Sequence, residues 1–213
     1  MGEIKKTTME ILIGTKNKYK ISEMRHFLKD IPNLKIYLLE DMDIDIDVEE
    51  DGSSLIENAE KKALEISKYT PYYVLASDVG NDIPALGDKW DMLRNQRIVG
   101  KYNTDMDKAN FLLDLMKGLK GEERSFKTRF ALALAKEGKI LWSEEQMIYK
   151  GYIVESIKET EIRHDLWGQS LVYYPDFKKR GIELTKEEEI KLKEVNPHLK
   201  NSLERYILGI TQK

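Results

Sequence analysis

The chain of 213 residues contains no cysteine. That excludes disulfide bridges, thiolate zinc centres and a cysteine nucleophile. It also lacks any surplus of positive charge, since 35 Lys and Arg stand against 38 Asp and Glu for a net charge of −3. Such a balance supplies no overall field to attract polymeric nucleic acid or an acidic membrane. No apolar run approaches the ~20 residues that span a bilayer. Met1-Gly2-Glu3-Ile4-Lys5-Lys6 has no apolar signal-peptide core. A soluble, cytoplasmic protein without a membrane partner is the expectation. Internal repeats, low-complexity tracts and separating linkers are missing as well, so residues 1–213 are expected to form one domain. Phosphate-loop and dinucleotide fingerprints are absent.

What is present is an alternation of strand and helix signals. Glu10-Ile11-Leu12-Ile13-Gly14 reads as a strand, and Gly14-Thr15-Lys16-Asn17 as the turn after it. The following helix places Ile21, Met24, Phe27 and Leu28 on one face, and Lys35 to Leu39 forms a second strand. Asp41, Asp43, Asp45, Asp47 and Glu49 then alternate with Met42, Ile44, Ile46 and Val48. Period two predicts an extended segment with an acidic and an apolar face, most simply a solvated edge strand whose charges discourage pairing.

Ser54 with Glu57 predicts a capping box for a helix that turns Leu55, Ala59, Ala63 and Ile66 inward. Tyr72 to Gly80 is a buried strand ending in a lone carboxylate, Asp78, and a glycine. Gly87 to Gly100 reads as loop, and Thr104 with Asp107 caps a helix ending near Lys117-Gly118. Phe126 to Lys136 and Lys139 to Tyr149 are strands joined at Glu137-Gly138, with Gly151 to Ile157 prolonging the second. Leu171 to Tyr174 is a short strand stopped by Pro175, Thr185 with Glu188 caps a charged helix, and Asn196-Pro197 starts the last one. This order predicts an α/β fold with an elongated, mixed sheet flanked by helices.

A carboxylate at the end of a buried strand lies where open α/β sheets bind ligands, although aspartate also caps turns there. Thr15, Asn17, Lys18 and Lys20 surround a helix start, which favours anions, and lysines in such places are also ordinary solvated surface. Asp78 and Asp47, from two segments, could together hold Mg²⁺, which prefers oxygen ligands. Lysines for phosphate, acids for metal and a polarised water are the parts for hydrolysing a nucleotide anhydride. His26 reads as a packing or surface residue, and His164 beside Asp165 makes a dyad without a third member. Trp142 and Tyr173-Tyr174 read as core or interface.

Gly14-Thr15-Lys16-Asn17-Lys18-Tyr19-Lys20 resembles the T-G-N-x-x-K opening of the inosine triphosphate pyrophosphatase family, hydrolases of deaminated purine nucleotides. Glu49-Glu50-Asp51-Gly52, followed by Ser54 and Glu57-Asn58-Ala59, is similar to that family's E-E-T-G-x-T-x-x-E-N-A. Ala76-Ser77-Asp78-Val79-Gly80 resembles A-D-D-S-G, with Ala85-Leu86-Gly87 following, and Arg97 and Gly100 fall on A-R-Y-x-G. Arg129 to Leu134, Trp167 to Asp176, and Lys193 with His198 continue the match in order along nearly the whole chain.

The resemblance implies a two-lobed fold with a central cleft, a homodimer, and Mg²⁺-dependent cleavage of a nucleoside triphosphate into monophosphate and pyrophosphate. It assigns Asp78 to the metal and to water activation, with Asp47 standing for the family's metal-site glutamate. Thr15, Asn17, Lys18 and Lys20 would hold phosphates, Trp167 would face the base, and Lys193 and His198 would contact the purine or its neighbouring phosphate. Ser77, Val79, Gln169, Ser170 and Leu199 depart from the pattern, and the loop from Asp88 to Asn95 lacks the family's G-x-P-G turn. These changes cluster at the base end, which implies altered base preference. The alternative is a catalytically silent homologue that binds a nucleotide or a protein.

Overall fold

The structure, a computed structural model, describes residues 8–42, 44–94, 100, 104–164 and 166–211. Seven strands form one sheet: β1 (Met9–Ile13), β2 (Leu34–Leu38), β3 (Tyr73–Asp82), β4 (Ser125–Lys136), β5 (Lys139–Ile153), β6 (Val172–Tyr174) and β7 (Lys179–Arg180), in the order β2-β1-β3-β4-β5-β6-β7. The sheet is mixed. β1 runs parallel to both β2 and β3, whereas β6 is antiparallel to β5 and to β7. The parallel strand β1 is apolar on both faces, with Ile11, Leu12 and Ile13 fully buried, as strands covered on two sides require. The α-helices are α1 (Lys18–Leu28), α2 (Leu55–Ile66), α3 (Asp105–Leu115), α4 (Trp167–Ser170), α5 (Lys186–Lys193) and α6 (His198–Thr211).

The chain divides into two compact units, residues 1–79, 130–146 and 197–213 in the first, and 80–129 and 147–196 in the second. β3, β4 and β5 contribute residues to both. In the first unit α2 buries Leu55, Ala59, Ala63 and Ile66, and Ile66 joins Leu12, Leu39 and Val74 in one apolar cluster. Helices α1 and α6 pack together, Phe27 meets Phe130 edge-on at 5.6 Å, and Leu199, Leu203 and Ile207 are fully buried. In the second unit Thr104 and Asp107 form the reciprocal cap of α3, which packs against α4.

Three expectations are corrected. The acidic alternation is not a strand: Asp41 closes a 3-10 turn over Leu39–Asp41, Asp43 lies outside the described residues, and residues 44–50 carry no strand assignment. Its apolar residues Ile44 and Val48 pack on the Leu12–Val74 cluster, and burial alternates along residues 44–50. β3 does not stop at Asp78 and runs on to Asp82, where Thr128 Oγ1 donates to Asn81 Oδ1 at 2.8 Å. Gly80 ends nothing: a Cβ there would lie 2.3 Å from Met92 Cγ, so the glycine permits close packing within the strand. Finally, β5 extends to Ile153, and residues 154–157 are not part of it.

Candidate functional site

Asp78 is 4% exposed. The last parallel pair between β1 and β3 joins Ile13 to Leu75, so Asp78 lies three residues beyond the end of β1. It therefore occupies the carboxyl side of the parallel strands, although it is not at the tip of its own strand. Strand alternation puts Val74, Ala76 and Asp78 on one face. Gly14 makes room beside that face, since a Cβ there would meet Ile66 Cδ1 at 3.0 Å and Val74 Cγ1 at 3.2 Å.

Two helices bring cations to this carboxylate. Lys20 Nζ of α1 lies 3.0 Å from Asp78 Oδ1, and Lys62 Nζ of α2 lies 3.4 Å from the same oxygen. Asn58 Nδ2 donates to Asp78 Oδ2 at 3.1 Å. Lys62 also meets Glu50 Oε1 at 2.7 Å. Side-chain exposures of 13% for Lys20, 11% for Lys62 and 5% for Asp78 show that the charges have left bulk water. Glu50 remains half-exposed. Two ammoniums thus face two carboxylates, a balance that a buried cluster needs.

Burial pushes the Asp78 carboxyl up, but the charges of Lys20 and Lys62 and the bonds from Lys20 and Asn58 outweigh it and hold the group below its ordinary 3.8. Burial lowers Lys20 from its ordinary 10.5, the charge of Lys62 lowers it further, and Asp78 and Glu50 offset part of this. An ammonium under such pressure gains from another anion.

The helix start that carries Lys20 is built by its own side chains. Asn17 caps α1, accepting from Lys20 N at 3.1 Å, and Thr15 Oγ1 accepts from Asn17 N at 3.2 Å. Lys18 is exposed on the first turn, which contains no acid. Asp47 sits on the exposed face of residues 44–50, and the carboxylate turned towards Lys62 is Glu50. Asp47 is the acid expected beside Asp78; the acid that shares Lys62 with Asp78 is Glu50, three residues further on.

Trp167 is the half-buried first residue of α4 and Lys193 the half-buried last residue of α5, both in the second unit. His198 is the exposed first residue of α6, in the first unit. Ser170 Oγ is buried and accepts from Arg163 N at 2.9 Å. His164 is exposed and lies 3.9 Å from Asp105. Arg97 and Asp165 lie outside the described residues. Ser77 is 1% exposed, and alternation turns it to the face opposite Asp78. An acid at 77 would not lie on the Asp78 face, so its loss takes no charge from that face.

Sequence reading missed Asn58, Lys62 and Glu50. The signal was available: Leu55, Asn58, Ala59, Lys62, Ala63 and Ile66 follow the spacing of a single buried helix face, and two of them are polar. A polar residue on such a face asks for a buried partner. Among the described residues no group of three or more His, Cys, Asp or Glu converges as a metal nest. Two carboxylates, Glu50 and Asp78, both contact Lys62 Nζ. Two carboxylates meeting one cation suit a hard ion that keeps most of its waters.

Fold and site define an α/β protein that holds a buried carboxylate between two lysines, beside the anion-favouring start of a helix. The chain belongs to the Ham1 family, whose model matches residues 11–200. It is 31% identical over 188 residues to a dITP/XTP pyrophosphatase of Clostridium perfringens, covering 84% of this chain and 88% of that one. A dITP/XTP pyrophosphatase of Bacillus licheniformis is 32% identical over 151 residues, with coverage of 71% and 76%. A HAM1 protein structure from Coxiella burnetii shares the fold at a TM-score of 0.75 and 23% identity, over 94% of this chain and 99% of that one. A nucleoside-triphosphatase / dITP/XTP pyrophosphatase from Mycobacterium abscessus aligns with a TM-score of 0.69 and 25% identity, over 92% and 99%. The family resemblance read from the motifs is borne out.

Proposed function

We propose that the protein is a nucleoside triphosphate pyrophosphohydrolase that removes non-standard purine nucleotides, releasing the monophosphate and pyrophosphate. The observation that carries this reading is Asp78, buried and ionised between Lys20 and Lys62. Relatives named dITP/XTP pyrophosphatase support the substrate class.

Lys20 and Lys18, at the start of α1, bind the phosphate chain. Lys20 must exchange its bond to Asp78 for one to phosphate, and its lowered pKa favours an added anion. Once Lys20 turns away, Asp78 Oδ1 keeps Lys62 at 3.4 Å and can accept from a water in place of Lys20, while Asn58 keeps Oδ2 in place. Asp78 remains a carboxylate at neutral pH and orients that water for cleavage of the α–β anhydride. Glu50 and Asp78 would hold Mg²⁺, which when bound supplies positive charge against the phosphate oxygens. Trp167 offers an aromatic face to the base, and Lys193 and His198 contact the purine or its adjoining phosphate. The protein acts in the cytoplasm as a homodimer. Among the described residues no helix is long and apolar enough to cross a membrane.

The test is pyrophosphate release from ITP, XTP, dITP and the standard triphosphates, with and without Mg²⁺. Release from at least one substrate is expected, and Asp78→Asn should reduce it by at least about 10²-fold, comparable with the loss of one preorganised electrostatic group. No turnover of any nucleotide overturns the reading. Nucleotide binding by calorimetry without product would assign the chain to silent binding instead.

A further inference from the structure

We infer that Asn58, packed against Gly52, is a positioning residue that fixes the Glu50-bearing segment at its working distance from Asp78. The inference rests on the pyrophosphohydrolase reading of the same site. Glu50 belongs to the extended stretch 44–52, which has no place in the sheet ladder and needs another anchor.

Asn58 provides that anchor. Its Oδ1 accepts from Gly52 N at 2.8 Å, and its Nδ2 donates to Asp78 Oδ2 at 3.1 Å. The partners settle the amide's orientation, because a backbone N–H can only donate and an ionised carboxylate can only accept. Asn58 is 1% exposed, so both bonds are shielded from competing water. One side chain therefore ties the acidic segment, two residues after Glu50, to the other carboxylate of the pair.

Gly52 makes the tie possible. A Cβ at position 52 would lie 2.7 Å from Asn58 Oδ1, 3.0 Å from Glu57 Cβ and 3.2 Å from Asn58 N. Any side chain there pushes the segment off α2 and carries Glu50 with it. Lys61 makes a second clip to the same segment, 2.6 Å from Asp51 Oδ1, but this pair is exposed. Exposed pairs fix little.

The experiment measures Mn²⁺ binding to the nucleotide-free protein by the loss of free-ion paramagnetic signal, in the parent, Asn58→Ala, Gly52→Ala and Lys61→Ala. Circular dichroism checks folding in each. Partners that orient metal ligands typically change affinity by about 10–100-fold. Asn58→Ala and Gly52→Ala are expected to weaken Mn²⁺ by about tenfold or more, and Lys61→Ala by less than about twofold. In activity assays Gly52→Ala should require proportionately more Mg²⁺ while recovering turnover at saturation, whereas Asn58→Ala, which also frees Asp78 Oδ2, should lose turnover as well. A residue that only stabilised the fold would lower the melting temperature and leave affinity unchanged.

Parental affinity in both folded variants overturns the inference, as does a parent that binds no Mn²⁺. Loss of folding in both, beside a folded Lys61→Ala, assigns the pair to stability and overturns it too. A parent and variants that bind as expected, without pyrophosphate release from any nucleotide, overturn the enzymatic reading and leave the tie standing.

Discussion

A carboxylate withdrawn from water costs several kcal/mol unless its charge and its lone pairs are met. Asp78 meets both demands through Lys20, Lys62 and Asn58. Asp78→Asn would leave two ammoniums facing one carboxylate of the cluster, the half-exposed Glu50. Urea unfolding at pH 7 should show the variant roughly 3 kcal/mol less stable, the low end for breaking a buried ion pair. The sign of the pH dependence follows from the lowered pKa. The native carboxyl titrates below its ordinary 3.8, so its contribution is complete above about pH 4 and is lost as pH falls through the native value. The gap between parent and variant should therefore hold from pH 7 to about pH 5 and narrow by pH 3. Equal stability at pH 7, or a gap that widens in acid, would contradict the geometry. Asp78 and Lys20 could be read from sequence because one follows an apolar strand and the other opens a helix. Asn58 and Lys62 are polar residues on an otherwise apolar helix face, so apolar periodicity does not single them out, although their spacing from Leu55 and Ile66 puts them on that buried face.

Elements whose signals are local were legible, and those set by tertiary contacts were not. Ser54, Thr104 and Thr185 cap the helices expected of them. Glu137 and Gly138 turn β4 into β5 with φ of 51° and 71°, the positive pair a tight hairpin requires. Residues 44–50 kept their period-two burial without becoming a strand, because that pattern also suits an extended segment lying on an apolar cluster. β7, two residues long, leaves no periodicity to read. The second unit contains a different kind of element-level tie. Arg124 is 5% exposed and donates to the carbonyls of Met116, Leu119, Ile153 and Val154. It joins the residues after α3 to the end of β5. A lysine retains the charge but cannot reproduce the planar fork. Arg124→Lys should lower stability by about 2 kcal/mol, the scale of losing buried bonds to a charged donor. Circular dichroism melts should show the loss, and a midpoint within a degree of the parent would count against the clamp.

At the scale of the molecule, the residues proposed to grip phosphate and those proposed to meet the base differ in how closely they follow the family motifs. Thr15, Asn17, Lys20 and Asp78 match those motifs in the first unit, and each bonds to another member of the set or to the helix start they build. The departures at the base end have structural occupations instead. Leu199 is fully buried among the residues of α6 that face the core, and Ser170 Oγ is committed to the backbone of Arg163 and Leu166. Neither offers a free donor to a base carbonyl. Discrimination by factors of about 10⁴ or more comes from polar groups left unpaired by the wrong substrate, whereas apolar shape yields about 10–200-fold. The ratio of kcat/KM for ITP or XTP over ATP and GTP should therefore fall in that lower range. Leu199→Arg would force a charge into the first unit's core and should unfold the protein rather than sharpen selectivity. A parental ratio above about 10³ would mean that an undiscovered polar contact reads the base, and Lys193→Ala and His198→Ala, measured on the same nucleotide panel, would show which of the two supplies it.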